Sequence, residues 1–355
     1  MDRIELEKLT KEELINLVLE QSQQLKTIKQ IKIKHLFIHP TNVMVVIATI
    51  VVLSISIGGF YSNSDWRLAW FSNLRPHFAM ISALAVIWFL WRRNKVMSGV
   101  TLASLLINCI VLFPFFIQPS VAIAADNALD IVHLNINRGR ADMSSLDAMA
   151  ADVVFLQEVR PEVVDRLPGL FPSYTVVRSH PIRGSEGSAV LLHKESPLEI
   201  IGSDIINLPD YSTRPLIVTE AQFKGRSIKL LSLHLSRPDN EQNDAFQKTE
   251  LDAAAVWSRE MQQQGYDVII VGDFNVTPWS NRFTKLLADG QLNDSLRGYG
   301  LQNTWPSTIP SFLRLPIDHA LYSDGWATVA RSTTAVSGSD HMVLRVSLAS
   351  SDLTP

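Results

Sequence analysis

Six short stretches of this sequence end a predicted β-strand in polar side chains of the kind that does chemistry. They are Asn135-Ile136-Asn137, Gln157-Glu158, Ser232-Leu233-His234-Leu235, Gly272-Asp273-Phe274-Asn275, Ile317-Asp318-His319 and Ser339-Asp340-His341. Carboxylates bind hard cations, and imidazoles exchange protons near neutral pH, above all beside a carboxylate. A single such residue is most often a turn former or a helix cap. Together at strand ends, they predict one site that combines cation binding with acid–base chemistry.

The elements that must position these residues are short strands interspersed with a few helices. Strands are predicted at residues 131–135, 153–156, 175–177, 188–192, 216–220, 228–233, 268–271, 319–321 and 342–346, and helices at 144–150, 243–263 and 280–288. Several neighbouring strands have no helix between them, which disfavours a doubly wound parallel sheet. The pattern predicts an α+β domain with antiparallel pairs over residues 129–350, within the size that one core supports.

Composition shows that a second, unlike region precedes this domain. The chain has 355 residues, of which 46% are hydrophobic and 19% charged, and its mean hydropathy is +0.12. Residues 1–127 carry a net charge of +4 and the remainder −7. The chain is thus not a disordered or collagen-like one, and Cys109 alone excludes disulfide and zinc-ribbon frameworks. A basic, apolar N-terminal region joined to an acidic, polar C-terminal region is typical of a membrane anchor followed by a water-soluble domain.

Three apolar segments within residues 41–120 predict transmembrane helices, near 43–60, 77–91 and 98–117. Lysines and arginines are concentrated before the first segment and after the second. The positive-inside rule then places the N-terminus in the cytoplasm and, after three crossings, the domain in the periplasm or its equivalent, with the chain in the cell (inner) membrane. If the short second segment does not cross, this orientation inverts.

Two flanking features complete the predicted organisation. Residues 1–40 contain a helical pattern that predicts a cytoplasmic amphipathic helix or a short coiled coil. A linker is expected at 121–128, where Ala122-Ile123-Ala124 has the small-x-small form of a signal-peptidase site, so that release of the domain after Ala124 stays open beside the plain linker.

The motifs in the acidic, polar C-terminal region resemble those of a known family. LNIN (134–137), FLQEV (155–159), SLHL (232–235), VGDFN (271–275), PIDHALYS (316–323) and GSDH (338–341) resemble, in this order, the endonuclease/exonuclease/phosphatase superfamily. Its members include DNase I-like nucleases, abasic-site endonucleases, inositol polyphosphate phosphatases and bacterial sphingomyelinases, and the anchor resembles its membrane-tethered bacterial members. The resemblance implies a four-layer α/β/β/α sandwich and a metal-dependent phosphoester hydrolase.

The resemblance also implies roles for the cation-binding residues. Glu158 would bind the cation, Asn135 would complete or orient its ligand shell, and Asp340 would be a further metal ligand. The cation would be Mg²⁺, with Mn²⁺ as the other candidate, because Mg²⁺ binds through one or two carboxylates and keeps several waters. Asn137 stands where abasic endonucleases have an Asp, and a phosphate contact or a supporting role is expected for it.

The remaining roles concern water and phosphate. Asp273 would orient or deprotonate the attacking water, and Asn275 would donate its amide to a phosphate oxygen. His341 would contact the phosphate while Asp318 holds its ring. His234 would contact the phosphate or assist the leaving group, with an interior structural histidine as the alternative. His319 is expected to be structural, because neighbouring side chains on a strand point to opposite faces.

The substrate stays open at this stage. A domain charge of −7 argues against tight engagement of a long polyanion. Nuclease-like phosphodiesterase activity is the leading prediction by family frequency, with a phospholipid or small phosphoester as the alternative substrate. A non-catalytic membrane-anchored binding module is the alternative of another class, and it is disfavoured because all the expected polar residues are present.

Overall fold

The computed structural model describes residues 10–37, 40–61, 66–118 and 128–350. Most of the expected linker, including Ala122 to Ala124, lies outside the described residues. The chain divides into two compact units, residues 1–54 with 81–104 and residues 55–80 with 105–355.

The helices of the first third are α1 (Lys11–Phe37), α2 (Pro40–Gly58), α3 (Trp66–Ser72), α4 (Arg75–Trp91) and α5 (Lys95–Leu112), with short 3-10 turns at Gly59–Tyr61 and Phe113–Phe115. Within the described residues, two helical stretches are long and apolar enough to cross a membrane, Val43–Tyr61 and Lys95–Phe115. A third crossing arises if α3 and α4, bent by 65°, act as one span. The number of crossings and their orientation stay predictions.

The C-terminal domain, residues 128–350, folds as two sheets flanked by helices. Its strands are β1 (Ala128–Asn135), β2 (Val153–Gln157), β3 (Tyr174–His180), β4 (Ser188–His193), β5 (Leu198–Asn207), β6 (Pro215–Phe223), β7 (Arg226–His234), β8 (Asp267–Asp273), β9 (Leu292–Asp294), β10 (Asp318–Ser323), β11 (Trp326–Thr334) and β12 (Val343–Ser350). Its helices are α6 (Pro161–Val164), α7 (Leu167–Leu170), α8 (Glu241–Gln263) and α9 (Asn281–Gly290), with 3-10 turns at Asp147–Met149 and Ser311–Leu313. One sheet has the strand order β11-β12-β1-β2-β4-β3 and the other β5-β6-β7-β8-β10-β9.

Three buried clusters give this domain its layers. The central cluster joins apolar side chains of both sheets, such as Ile131 and Phe155 of the first and Leu230 and Ile269 of the second. A second cluster lies under the helical turns between β1 and β3, and a third packs α8 and α9 against the second sheet. Alternate residues of each inner strand therefore face the inter-sheet core and a helical layer, which explains why these strands read as continuous apolar runs.

One predicted helix is absent, and three strands and the short helices α6 and α7 were not predicted. The helix expected at 144–150 is wrong: only the 3-10 turn Asp147–Met149 forms, because the Asp147 carboxylate accepts from the backbone N and hydroxyl of Ser173 (both 3.0 Å), and Ala150 is left-handed (φ 48°). Strands β5, β9 and β11 were not expected. Each lies at the edge of a sheet, where one side faces no strand and the apolar signal is weak.

Candidate functional site

The predicted site forms where the carboxyl ends of two parallel strand pairs meet. In the first sheet β1 runs parallel to β2, and Asn135 is paired with Gln157 at their ends. In the second sheet β7 runs parallel to β8, and His234 is paired with Asp273. Antiparallel β10 adds Asp318 beside Asp273. Five of the six motifs thus end on neighbouring strands of the two facing sheets.

Gln157 holds the two sheets together at this edge. Its side-chain oxygen accepts from the Asp273 N–H (2.8 Å), and its amide nitrogen donates to the Leu233 carbonyl. Gly272 leaves room for this close approach, since a Cβ there would lie 1.8 Å from the Leu233 oxygen and 2.4 Å from the Gln157 Nε2. The glycine of the VGDFN motif is therefore a packing requirement of the site.

Asn135 links the two carboxylates of the site. Its Nδ2 donates to Glu158 Oε1 and to Asp273 Oδ2, each at 3.2 Å. Glu158 has a left-handed backbone (φ 62°), an uncommon conformation for a non-glycine residue that costs roughly 1 kcal/mol and is typical of functional positions. Its second oxygen lies 3.8 Å from Arg138 Nε. The cation-binding pair predicted from the sequence, Glu158 and Asn135, is thus brought to one place.

Two imidazoles converge on the buried carboxylate of Asp318. His341 Nδ1 lies 2.9 Å from Oδ2 and 3.1 Å from Oδ1, and His133 Nε2 lies 2.9 Å from Oδ1. Burial alone would raise the pKa of Asp318, but the charge of His341 and the hydrogen bonds from both rings hold it well below its usual range. Burial opposes protonation of His341, yet Asp318 and Asp273 outweigh it and raise the pKa of His341 to about 10. His341 is therefore an imidazolium at neutral pH.

Asp273 and His234 lie beside this pair. Asp273 Oδ2 is 3.6 Å from His341 Nε2 and 3.8 Å from His234 Nε2. Burial raises the pKa of Asp273 to about 6, against the attraction of His341. Burial also lowers the pKa of His234 well below its usual value, and Arg214 adds to the effect. The site thus contains a charged imidazole, a neutral one and a carboxylate that titrates near neutrality.

These groups face a cleft of about 560 Å³. The lining contains the predicted residues Glu158, His234, Asp273, Asn275, Asp340 and His341. Asn275 donates one amide hydrogen to the Leu235 carbonyl (3.0 Å). Its backbone is left-handed (φ 50°), at the turn where the loop leaves β8. Arg214 also lines the cleft, held by Glu186 (3.5 Å) and by the His234 carbonyl (3.3 Å).

Two predicted residues take other positions. Asn137 donates to the Gly338 carbonyl (3.3 Å), and among the described residues the cleft lining does not include it. His319 Nε2 lies 2.9 Å from the Val276 carbonyl oxygen, and its ring packs on Phe274 and Phe283. The structural role expected for His319 from strand alternation is confirmed, while a contact of Asn137 with phosphate stays a prediction.

Sequence reasoning did not assign three residues that shape the site. His133 shares a strand face with Asn135 because the two are two residues apart, so alternation contained the signal. The role of Gln157 depends on a partner in the other sheet, which no local pattern reveals. Trp305 donates its indole N–H to Asp340 Oδ2 (3.2 Å), a contact across 35 residues.

One group of side chains in the described part of the chain has ligand atoms that all lie within 4.8 Å of one another: Asp273, Asp318 and His341. The Asp318 oxygens already accept from two imidazoles, whereas each Asp273 oxygen accepts one hydrogen bond, from the Asn135 amide and from the Asn275 N–H. Glu158 shares Asn135 with Asp273, so a cation bound by Glu158 would lie near this group.

Comparisons with known proteins identify the family of this domain. The Endonuclease/Exonuclease/phosphatase family matches residues 128–341. Tyrosyl-DNA phosphodiesterase 2 of Xenopus laevis is 31% identical over 123 residues, which are 33% of this chain and 32% of that protein, and that of Xenopus tropicalis is 28% identical over 115 residues, 32% and 30%. The matched region is about a third of the length of these relatives.

Solved structures show the same fold at low identity. The D. rerio TDP2 structure complexed with a single-strand DNA product has a TM-score of 0.51 at 19% identity and covers 63% of this chain and 99% of its own. The human Nocturnin catalytic domain with a bound sulfate anion has a TM-score of 0.51 at 17% identity, covering 63% and 94%. Because the family model matches residues 128–341, more than half of the sequence, the chain belongs to the Endonuclease/Exonuclease/phosphatase family.

Proposed function

We propose that this protein is a membrane-tethered, divalent-metal-dependent phosphodiesterase. The observation that carries the proposal is the convergence of Asp273, His234 and His341 on one buried edge, with the Glu158–Asn135 pair beside them. A binding module would not need an imidazolium, a neutral imidazole and a carboxylate with a pKa of about 6 in one cleft.

The residues fit a hard cation bound mainly through Glu158. Its carboxylate faces the cleft with 16% of the side chain exposed, and one oxygen receives a single hydrogen bond from Asn135. Mg²⁺ takes one or two protein carboxylates and retains waters, and Mn²⁺ accepts the same oxygen ligands. When bound, the cation would neutralise charge that develops on the phosphoryl oxygens. Asp340, held by Trp305, is proposed as a further ligand.

The proposed reaction is hydrolysis by an oriented water. Asp273, fixed by Asn135 and by the Asn275 N–H (2.9 Å), accepts a proton from the water while the water oxygen forms a bond to phosphorus. The His341 imidazolium, held by Asp318, stabilises the negative phosphoryl oxygens together with the remaining amide hydrogen of Asn275. The bond from phosphorus to the ester oxygen breaks, the leaving oxygen takes a proton from solvent water while His234 orients it, and Asp273 returns its proton to the solvent. The products are an alcohol and a phosphomonoester.

The tether and its orientation are part of the proposal. The apolar stretches Val43–Tyr61 and Lys95–Phe115 support it, and the basic residues around them favour an extracytoplasmic domain in the cell (inner) membrane. A C-terminal alkaline phosphatase fusion tests the orientation. An active fusion is expected, and an inactive one beside an active cytoplasmic reporter would refute an outward-facing domain.

Two substrate classes fit the site. The names of the relatives, tyrosyl-DNA phosphodiesterases, support a nuclease-like activity on nucleic acid. A lipid headgroup or a small phosphodiester is the other class, and the acidic charge of the domain supports it.

The activity is tested with the purified full chain and bis-p-nitrophenyl phosphate in the presence of Mg²⁺ or Mn²⁺. We expect hydrolysis that EDTA abolishes and that falls by at least ~10²-fold in Asp273→Ala and His341→Ala, the scale of lost acid–base and electrostatic catalysis. Asp204→Ala, an exposed carboxylate on the edge strand β5, is the matched control. Hydrolysis that persists in EDTA or survives both site variants would refute the mechanism.

A further inference from the structure

One part of the cleft wall comes from outside the matched family region. Trp70, Asn73 and Leu74 line the same cleft as Asp273 and His341. These three residues lie between the two apolar stretches Val43–Tyr61 and Lys95–Phe115, not within residues 128–341. The connection between the apolar helices therefore contributes directly to the surface that meets the substrate.

This connection forms hydrogen bonds with the loop that follows the VGDFN motif. Asn73 Oδ1 accepts from the backbone N (3.3 Å) and the hydroxyl (2.7 Å) of Thr277. The Trp279 indole N–H donates to the Ser72 carbonyl (3.0 Å), and this bond is buried. Thr277 is two residues beyond Asn275, so the loop that contains the proposed phosphate-binding residue Asn275 also positions the connection that lines the cleft.

The ends of both apolar stretches contact the same loop region within one compact unit. The Asn281 amide donates to the Phe60 carbonyl (2.6 Å) at the end of the first stretch. At the end of the second, Phe115 packs edge-on against Trp279 with ring centroids 5.9 Å apart, and its carbonyl accepts from the Gly300 N–H (2.7 Å). If these stretches cross a bilayer, residues at their ends, Phe60 and Phe115, contact the domain that carries the cleft.

Trp70 has the character of a residue at an apolar–polar boundary. It lines the cleft while 48% of its surface is exposed, and its ring stands edge-on to Phe71 with centroids 5.5 Å apart. Tryptophan is enriched at membrane–water interfaces because its ring is apolar and its N–H is polar. An exposed indole in a phosphoester cleft offers an apolar contact beside the phosphate.

The charge of the cleft favours a small anionic group over a long polyanion. Its lining contains three arginines against five carboxylates. One of the arginines, Arg214, is paired with Glu186 and lies 3.8 Å from Glu250. Nucleic-acid binding normally uses a basic surface that releases counterions from many phosphates, and this lining does not provide one.

We propose that Trp70 is a substrate-binding residue, that Asn73 positions it, and that the substrate is the phosphodiester headgroup of a lipid in the membrane that holds the chain. This inference rests on the proposed function, since it requires both a phosphodiesterase and a tether. The lipid's apolar part and glycerol would contact Trp70 while its phosphate lies in the cleft beside Asp273 and His341.

The test uses the full chain reconstituted into vesicles of phosphatidylethanolamine and phosphatidylglycerol. Lipid products are measured by mass spectrometry, and hydrolysis of bis-p-nitrophenyl phosphate and of a single-stranded oligonucleotide is measured on the same preparation. We expect lipid hydrolysis, and a ratio of lipid to bis-p-nitrophenyl phosphate turnover that falls at least ~10-fold in Trp70→Ala, the scale of truncating an aromatic contact residue. Trp70→Phe should restore most of the ratio. Asn73→Ala should lower it as well, because the wall loses its bonds to Thr277.

Trp91→Ala is the matched control, an exposed tryptophan at the end of α4 that does not line the cleft, and it should leave the lipid, bis-p-nitrophenyl phosphate and oligonucleotide activities unchanged. Lipid turnover that does not respond to Trp70→Ala would overturn the inference. So would oligonucleotide turnover without lipid turnover, which would assign the site to nucleic acid and leave the phosphodiesterase proposal standing. If the wild-type chain hydrolyses none of the three substrates, the proposed function itself is contradicted.

Discussion

Replacing Asp318 by Asn tests whether this carboxylate keeps His341 charged. Asp318 accepts from His341 at 2.9 Å and is the largest of the influences that raise the pKa of that ring from 6.5 to about 10 against burial. A displacement of that size corresponds to roughly 5 kcal/mol of preference for the imidazolium. Asn keeps the shape of the side chain and removes its charge, so the pKa of His341 should fall toward its ordinary value, with Asp273 as the main attraction left against burial.

The expected loss follows from the protonated fraction. With a pKa of about 10 the ring is fully charged at pH 7.5, whereas with a pKa of about 6.5 only about a tenth of it is charged. We therefore expect the lost charge to lower kcat/KM for bis-p-nitrophenyl phosphate by up to ~10-fold at pH 7.5, and misorientation of the ring to lower it further. Because the charged form is favoured below the pKa, the variant should recover part of its activity as the pH is lowered toward 6. Its alkaline limb should lie at lower pH than that of the wild type.

The assay is the pH profile of kcat/KM for both proteins with saturating Mg²⁺. Asp152→Asn is the matched control: Asp152 is a half-buried carboxylate that accepts from the Asp130 N–H (2.8 Å) at the opposite end of β2. Its profile should follow that of the wild type. Activity of Asp318→Asn within about threefold of the wild type, with the same alkaline limb, would refute the reasoning that Asp318 acts through the charge of His341.

The remaining predictions concern packing, a buried ion pair and the sheet bridge. Gly272→Ala should prevent the native fold, since its Cβ would lie 1.8 Å from the Leu233 oxygen, and should yield aggregated protein by size-exclusion chromatography. Arg282→Ala leaves the Asp244 carboxylate, now bonded at 2.6 and 2.7 Å, without its partner and should cost about 3 kcal/mol, seen as a thermal midpoint lower by roughly 10 °C. Gln157→Leu leaves the Asp273 N–H and Leu233 carbonyl unpaired and should cost about 2 kcal/mol or more, with a lower kcat because Asp273 loses its support.

Controls for these variants come from comparable positions. Gly265→Ala, at a helix end with open space around it, should fold, although its positive φ (88°) costs a little stability. Lys285→Ala removes an exposed cation paired with Asp252 and Asp289 and should lower the midpoint by far less than Arg282→Ala. A soluble, active Gly272→Ala protein would contradict the close approach of the strands, and an unchanged midpoint in Arg282→Ala or Gln157→Leu would contradict the stated contacts.

Much of the fold was predictable because local pattern reflects burial. The inner strands are continuous apolar runs, since one face of each packs on the inter-sheet core and the other on a helical layer. The edge strands β5 and β11 were missed because a strand at the edge of a sheet is less buried, and its apolar pattern is therefore weaker. The turn at 147–149 was misread as a helix because Asp147 bonds to Ser173, a residue distant in the sequence.

The sequence by itself determined which residue types stand at the strand ends, and so the family resemblance and the choice of Glu158, His234, Asp273 and His341 as candidates. It also determined that an apolar, basic region precedes the domain. Only the tertiary structure decided that His133 shares Asp318 with His341, that Gln157 ties the two sheets, and that Trp70 and Asn73 line the cleft. Each of these contacts joins residues from separate strands, sheets or segments, and side-chain type and spacing along a chain do not encode which distant partner a side chain meets.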